Sequence, residues 1–460
     1  MGTYFWERDG ICIRNFRSDD ADLFQDMLYQ TDYRMQMEHG IPLPACHDDG
    51  ENLIAWIGEG QEDIWLAIES GEDTFVGYAI LRCIDDRSGN LELFLTIFPK
   101  WQRRGYGRSA CNLLKDYIFG ERRMYKINCY VMEGNEAGKA FLEQMGFREE
   151  CYRREMFYSH GKYWGEYNYG ITKEMNNAED EVRRNGQQLE PEQQLGTGQR
   201  RSEQQGTEQQ EIMQQGIEQL EIGQQKDEQQ NCGQQNSKLQ NNDPQKNKFQ
   251  RKVMQIKEQF LQIAPAKFLP IYGKRPYFWE YDGIRLRETT EEDCVKQHEL
   301  LYDSQGCRFF DNDVKLPCDI EKLSDFDEEH LGFGGEDGRI VFTVEDMEGE
   351  YVGSIQLCGI DQKNGKFSFS IYTDQARRKC GYGKKALYIV LCYAFFELRL
   401  NKCVTTVNEG NTSSLTLMGK LGFEFEGVQS GMAFYNNHYV DVIQLGLTRQ
   451  QFTDRIEQVI

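Results

Sequence analysis

The chain has 460 residues, too many for one ordinary core, and a prior of roughly 100–200 residues per domain predicts two or three domains. Its 53 Lys+Arg against 75 Asp+Glu give a formal charge of −22, which argues against nucleic acid or an anionic membrane as partner and is compatible with a cationic substrate. With no run of about 18 apolar residues, no signal-peptide pattern at Met1 to Glu7 and no CxxC pair among 14 cysteines, a cytoplasmic protein without zinc is expected, its thiols reduced.

In chain order, a strand is predicted over Gly10 to Arg14 and a helix over Asp19 to Tyr29. Trp65 to Ile68 and Phe75 to Cys83 read as a hairpin, and Leu91 to Phe98 as a third strand rich in branched and aromatic residues. Gln102-Arg103-Arg104-Gly105-Tyr106-Gly107-Arg108 follows, and then Ala110, Leu113, Leu114, Tyr117 and Ile118 recur at the spacing of a helix packed on a sheet. A strand (Lys126 to Val131), a helix carrying Phe141, Leu142 and Met145, and a closing hairpin around His160 complete the unit. The composite is a mixed α/β (α+β) fold, a central mixed sheet with helices packed on it.

From about Asn176 to Asn247, Gln dominates with Glu, Gly and Asn, as in Glu203 to Gln210. Such a stretch cannot bury enough surface to offset its ordering entropy, so a disordered linker is predicted. Apolar residues return at Val253, Ile256, Phe260 and Ile263, predicting a short helix over Phe249 to Ile263.

The unit then repeats. Tyr4-Phe5-Trp6-Glu7-x-Asp9-Gly10-Ile11 is matched by Tyr277-Phe278-Trp279-Glu280-x-Asp282-Gly283-Ile284, and Gly77, Gly105, Gly107, Gly146 and Gly170 pair with Gly353, Gly381, Gly383, Gly422 and Gly446 at one constant offset. Domains are therefore expected at 1–175 and 271–460 with a linker at 176–270, each repeat folding on its own.

Two spaced glycines between a strand and an amphipathic helix allow positive φ and close backbone approach, and N–H groups at a helix N-terminus hold anions. With flanking cations, Gln102 to Arg108 and its counterpart Arg378-Lys379-Cys380-Gly381-Tyr382-Gly383-Lys384 predict pyrophosphate sites. Both segments resemble the acetyl-CoA signature of the GNAT superfamily, Gln/Arg-x-x-Gly-x-Gly/Ala opening a helix. Asn135 and Asn411, followed at equal spacing by Gly146-Phe147 and Gly422-Phe423, resemble its later motif. The resemblance implies a sheet splayed beside the loop, acetyl-CoA as co-substrate, and acetyl transfer to a primary amine by direct attack. The closing hairpins look like the subfamily that acetylates ribosomal-protein N-termini, spermidine and related amines. A polyamine, an aminoglycoside-like amine and a protein N-terminus are all compatible substrates.

Direct attack on a thioester needs a base for the ammonium proton and a donor toward the leaving thiolate. By resemblance the base is a carboxylate on the strand before the loop, matched by Glu92 in the first repeat and replaced by Ser368 in the second. The family's tyrosine donor, seven residues beyond the Asn, is replaced by Leu142 and Met418. Ser414 matches a serine of the ribosomal-type members, where the first repeat has Gly138, although serine near a helix start is commonly a cap. His39 and His160 fall on no matched position, and the variable segments Arg34 to Ala45 and Cys307 to Asp319 are expected to shape the amine pocket. The uneven catalytic set leaves open a second reading, an acyl-CoA-binding sensor or structural protein in which one or both repeats do no chemistry.

Overall fold

The computed structural model describes residues 5–29, 44, 46, 48–59, 62–71, 74–178, 244–263, 279–290, 292–293, 295–296 and 339–457. His39, most of Arg34 to Ala45, Cys307 to Asp319 and most of the Gln-rich segment lie outside them. Both repeats belong to one compact unit, Met1–Asp180 with Gln255–Ile460.

The first repeat runs β1 (Glu7–Arg8), β2 (Ile11–Arg14), α1 (Ala21–Leu28), α2 (Asp49–Gly58), β3 (Ile64–Ser70), β4 (Thr74–Asp85), β5 (Asn90–Ile97), α3 (Tyr106–Asp116), β6 (Lys126–Met132), α4 (Glu136–Gln144), β7 (Arg148–Ser159) and β8 (Lys162–Thr172). After α5 (Pro244–Ile263), the second repeat follows the same course. Its elements are β9 (Glu280–Tyr281), β10 (Ile284–Arg287), β11 (Ile340–Asp346), β12 (Tyr351–Asp361), β13 (Lys366–Thr373), α6 (Tyr382–Cys392), β14 (Lys402–Asn408), α7 (Thr412–Leu421), β15 (Glu424–Tyr435), β16 (His438–Thr448) and α8 (Arg449–Glu457).

The stripe on α3 does what its spacing predicts: Ala110, Leu113, Leu114 and, one turn on, Ile118 are buried against Leu91, Ile127 and Tyr169 of the sheet. The opposite face of the sheet carries α1, whose Phe24 and Met27 pack on Phe75, Tyr78 and Phe98. Helix α2 was not anticipated; it docks on α1 through Gly50, where a Cβ would lie 2.6 Å from the Ala21 carbonyl oxygen. Helix α5 begins five residues earlier than expected, and its Ile256 and Phe260 are buried as the apolar spacing required.

The two repeats share one 16-stranded sheet, in the order β1-β2-β3-β4-β5-β6-β8-β7-β15-β16-β14-β13-β12-β11-β10-β9. The order reads the same from either end once repeats are exchanged, so a pseudo-twofold axis passes between β7 and β15. The strands meet there at Cys151 and Gly427, and a side chain on Gly427 would collide with the Cβ of Cys151. This close approach explains why the second repeat carries glycine where the first has cysteine.

Charge crosses the seam in a reciprocal pattern. Lys126, fully buried, donates to both oxygens of Glu150 at 2.9 and 2.7 Å and to the carbonyl of Ser430 in the other repeat at 2.6 Å. Its counterpart Lys402, also fully buried, donates to Glu426 at 2.7 Å and to the carbonyl of Arg154. The carboxylates accept in return, Glu150 from the N–H of Ser430 and Glu426 from the N–H of Arg154, each at 3.2 Å. Burial pushes the Glu150 carboxyl up and the Lys402 ammonium down, both toward the neutral form, so each charge is held by its partner. Tyr125 stacks on Tyr439 across the same seam, with centroids 3.5 Å apart.

The repeats are thus coupled by contacts that a lone repeat lacks. A repeat expressed alone would expose the β7 or β15 edge and leave these buried groups without their cross-seam partners. It is expected to sediment as a self-paired dimer or aggregate, whereas a stable monomer would show the seam to be dispensable.

Candidate active site

Strand β5 is paired along most of its length with β4, from Gly77↔Ile97 to Asp85↔Asn90. On its other edge it pairs with the parallel β6 only at Asn90↔Lys126, Leu91↔Ile127 and Glu92↔Asn128, after which the strands part. From Leu93 to Ile97 one row of backbone groups therefore faces an open wedge. The second repeat has the same wedge, where β13 and β14 pair only at Lys366↔Lys402 and Phe367↔Cys403. An unpaired strand edge flanked by apolar helices offers hydrogen bonds to an extended, amide-bearing chain.

The glycine loops stand at the mouths of the wedges. Gln102 Nε2 donates to the Ile97 carbonyl at 2.9 Å, and Arg378 Nε donates to the equivalent Thr373 carbonyl at 3.0 Å. Both side chains thus anchor their loop to the strand end, a role their cofactor-binding assignment did not foresee. The backbone then turns through left-handed residues, Arg103 (φ 60°) and Gly105 (φ 87°), or Lys379 (φ 67°) and Gly381 (φ 84°), into α3 or α6. The first N–H groups of these helices, at Tyr106-Gly107 and Tyr382-Gly383, lack partners in the preceding turn and carry the positive end of the helix dipole. A Cβ on Gly105 or Gly381 would meet nothing within 4 Å, so glycine is required there by φ, and the space over each loop is open to a guest.

The loop cations differ in placement. Arg104 lies over the Trp101 ring at 4.8 Å, Arg108 reaches Gln144 at 3.5 Å, and Arg378 lies over Tyr372 at 5.4 Å. Burial, then the nearby Lys420, lowers the Lys384 ammonium from its ordinary value. Cys380 is exposed beside the loop, and Tyr382 and Gly383 line a small cleft with Ile371 and Thr373. The residues present fit an anionic, extended ligand: an open strand edge, N–H groups at a helix start, and clear space above the glycines.

Asn135 and Asn411 cap the next helices, accepting from the N–H of Gly138 at 2.9 Å and of Ser414 at 3.1 Å. Ser414 sits in the first turn of α7, and Leu142 and Met418 are buried, offering only packing. His160 occupies the turn of the β7–β8 hairpin with φ 52°, as its sequence context predicted. Of the aromatic run in β8, Tyr169 is fully buried in the core with Tyr167 packed against it, which is a structural role.

Glu92 lies at the last paired position before the strands part. Its Oε2 accepts from Arg82 Nε at 2.9 Å, the two residues standing opposite each other on β5 and β4. In the second repeat this pair becomes Ser368 opposite Cys358, so neither charge is present. The Arg82–Glu92 pairing depends on the register between β4 and β5, which local sequence does not fix. The residues facing Glu92 from β6, Asn128 and Tyr130, required knowledge of which strands pair.

The acetyltransferase (GNAT) domain model matches residues 11–148 and again 284–424. A prophage-derived uncharacterized N-acetyltransferase of Bacillus subtilis, YokL, is 30% identical over 175 residues, 38% of this chain and 95% of the relative. The spermidine N(1)-acetyltransferase of Escherichia coli K12 is 25% identical over 171 residues, 37% of this chain and 88% of that one. Among solved structures, a spermidine N-acetyltransferase from Vibrio cholerae in complex with CoA and spermine is 20% identical, with a TM-score of 0.35, over 37% of this chain's length and 98% of its own.

Replacing Gly105 or Gly381 by Val is expected to weaken acetyl-CoA binding in the altered repeat only, because β-branching disfavours positive φ and the side chain enters the space above the loop. Calorimetric titration of each variant checks this, and two unchanged sites would reject the loops as phosphate sites.

Proposed function

Because the chain belongs to the GNAT acetyltransferase family in both of its repeats and is an acetyl-CoA-dependent N-acetyltransferase of amines, we propose that it acetylates a polyamine-class primary amine and that the first repeat carries the chemistry. The observation that supports this division is the Glu92–Arg82 pair at the apex of the wedge, absent from the second repeat. The polyamine class draws on the spermidine acetyltransferases among the relatives and on the charge of −22, which favours a multiply cationic substrate.

In this reading the residues of Gln102 to Arg108 and of Arg378 to Lys384 hold the pyrophosphate of acetyl-CoA at each loop. The bound co-substrate supplies an activated thioester. Glu92 takes a proton from the substrate ammonium, directly or through water, and Arg82, donating to it at 2.9 Å, orients that carboxylate. Asn135 and Asn411 fix the helices that flank the wedges. The second repeat, with Ser368 where the first has its carboxylate and Ser414 where the first has Gly138, binds acetyl-CoA and contributes little turnover.

A screen of spermidine, spermine, an aminoglycoside and N-terminal peptides against the purified chain, following release of CoA thiol, tests the reading. Turnover is expected to be highest with the polyamines. A preference for peptides or the aminoglycoside would reject the substrate class.

A further inference from the structure

Family membership leaves one chemical role without a residue, since the positions of Leu142 and Met418 cannot donate a proton to a leaving thiolate. The polar face around Glu92 fills that gap. Glu92 pairs with Asn128, Asn128 and Tyr130 share a face of β6, and Tyr130 is the first residue on that face beyond the point where β5 and β6 part. Opposite Tyr130 on β8 stands Asn168.

Several polar atoms around Tyr130 have no partner among the described residues. Asn168 is 1% exposed and neither its amide oxygen nor its nitrogen is hydrogen-bonded; Asn128 Oδ1 and Arg153 Nε are likewise buried and unpartnered. Unpaired buried polar atoms are costly, and a cluster of them marks a place that receives water or ligand. The Tyr130 hydroxyl itself accepts from Gln429 Nε2, at 3.5 Å, a residue of the second repeat. Gln429 in turn accepts from Gln444, which sets its amide so that the nitrogen faces Tyr130. Since the hydroxyl is the acceptor in this contact, its own proton remains to be donated. Burial, then the neighbouring Glu92 carboxylate, pushes the hydroxyl well above its ordinary value, so that proton stays in place at neutral pH.

We infer that Tyr130 is the proton donor to the departing CoA thiolate in the first repeat, and that Gln429 of the second repeat is its positioning residue. The inference rests on the assignment of the first wedge as the transfer site. The substrate ammonium loses one proton to Glu92, the free amine attacks the thioester carbonyl, and the C–N bond forms. As the C–S bond breaks, the sulfur takes the Tyr130 proton. The acylated nitrogen then yields its second proton to the phenolate, restoring Tyr130, and the proton on Glu92 passes to solvent. The second repeat has Thr406 at the position of Tyr130, and Arg153 of the first repeat stands where Gln429 does in the second. The donor pair therefore exists once per chain, and the second repeat completes the site of the first.

The test uses the full chain carrying Gly381→Val to silence the second loop, with CoA itself as probe. The bound thiol is titrated by thiolate ultraviolet absorbance, as the difference with and without CoA. A hydroxyl donating to sulfur stabilises the thiolate, so Tyr130→Phe is expected to raise the bound-thiol pKa by about one unit, a tenfold change, with CoA affinity by calorimetry retained. Gln429→Leu should move it in the same direction and add nothing in the Tyr130→Phe background. With an accepted amine, kcat should fall by about 10²-fold or more in Tyr130→Phe. An unchanged thiol titration in Tyr130→Phe overturns the inference whether or not any amine is turned over. Independent, multiplying effects of the two substitutions overturn the role of Gln429. Absence of polyamine turnover with the expected thiol shift would instead count against the substrate class alone.

Discussion

Glu92→Gln is expected to lower amine acetylation at neutral pH by about 10²–10⁴-fold, the usual cost of removing a general base, while acetyl-CoA affinity is retained. The substitution is nearly isosteric. Gln can still accept from Arg82, so the cross-strand contact at 2.9 Å keeps the β4–β5 register and the wedge beside it. What is lost is the negative charge that takes the ammonium proton. Raising the pH should restore part of the rate, because free amine then forms without a base. Ser368→Ala serves as the control in the second repeat, where no carboxylate stands at the matching position, and should change turnover little. Initial rates across pH decide the matter, and full activity of Glu92→Gln at neutral pH would remove the carboxylate from the mechanism.

Lys402→Met should destabilise the folded chain by about 3–5 kcal/mol, the cost of leaving a buried charge without its partner. Glu426 has a side chain only 2% exposed, and its second oxygen already lacks a hydrogen bond among the described residues. Removing the ammonium strands that carboxylate and also unpairs the carbonyl of Arg154 across the seam. Lys126→Met should behave alike, because Glu150 and the Ser430 carbonyl repeat the arrangement. Replacing both members of one pair, as in Lys402→Met with Glu426→Leu, should recover much of the loss, since an apolar pair carries no desolvation penalty. Denaturant melts of the single and double variants measure this. A single variant that unfolds at the wild-type midpoint would show that the pair contributes nothing.

The stripe of Ala110, Leu113, Leu114 and Ile118, the alternating strands and the glycine loops were legible in the sequence because each depends on local period and backbone conformation. Positive φ at Gly105 and Gly381 and the burial of Ile256 and Phe260 follow from the same local rules. The duplication was legible too, as a constant offset between glycines. The carboxylate at Glu92 could be named by resemblance, whereas its partner Arg82 depended on the exact register of the hairpin.

Other features depended on which strands meet. A Lys at the start of a predicted strand reads as a solvated end, yet Lys126 and Lys402 are fully buried, each covered by the other repeat. Equal repeats separated by a long polar segment read as independent domains, but their last hairpins join in one sheet at Cys151 and Gly427. Tyr130 reads as one more aromatic in a strand; its closeness to Glu92 and Gln429 comes from parallel pairing and from the seam. Local periodicity determined the repeats, their helices and their glycine loops, because those depend on neighbours a few residues away. Tertiary structure alone decided the shared sheet and the contact of Tyr130 with Gln429 of the other repeat, because burial there is set by residues about 300 positions apart in the chain, a separation no local period encodes.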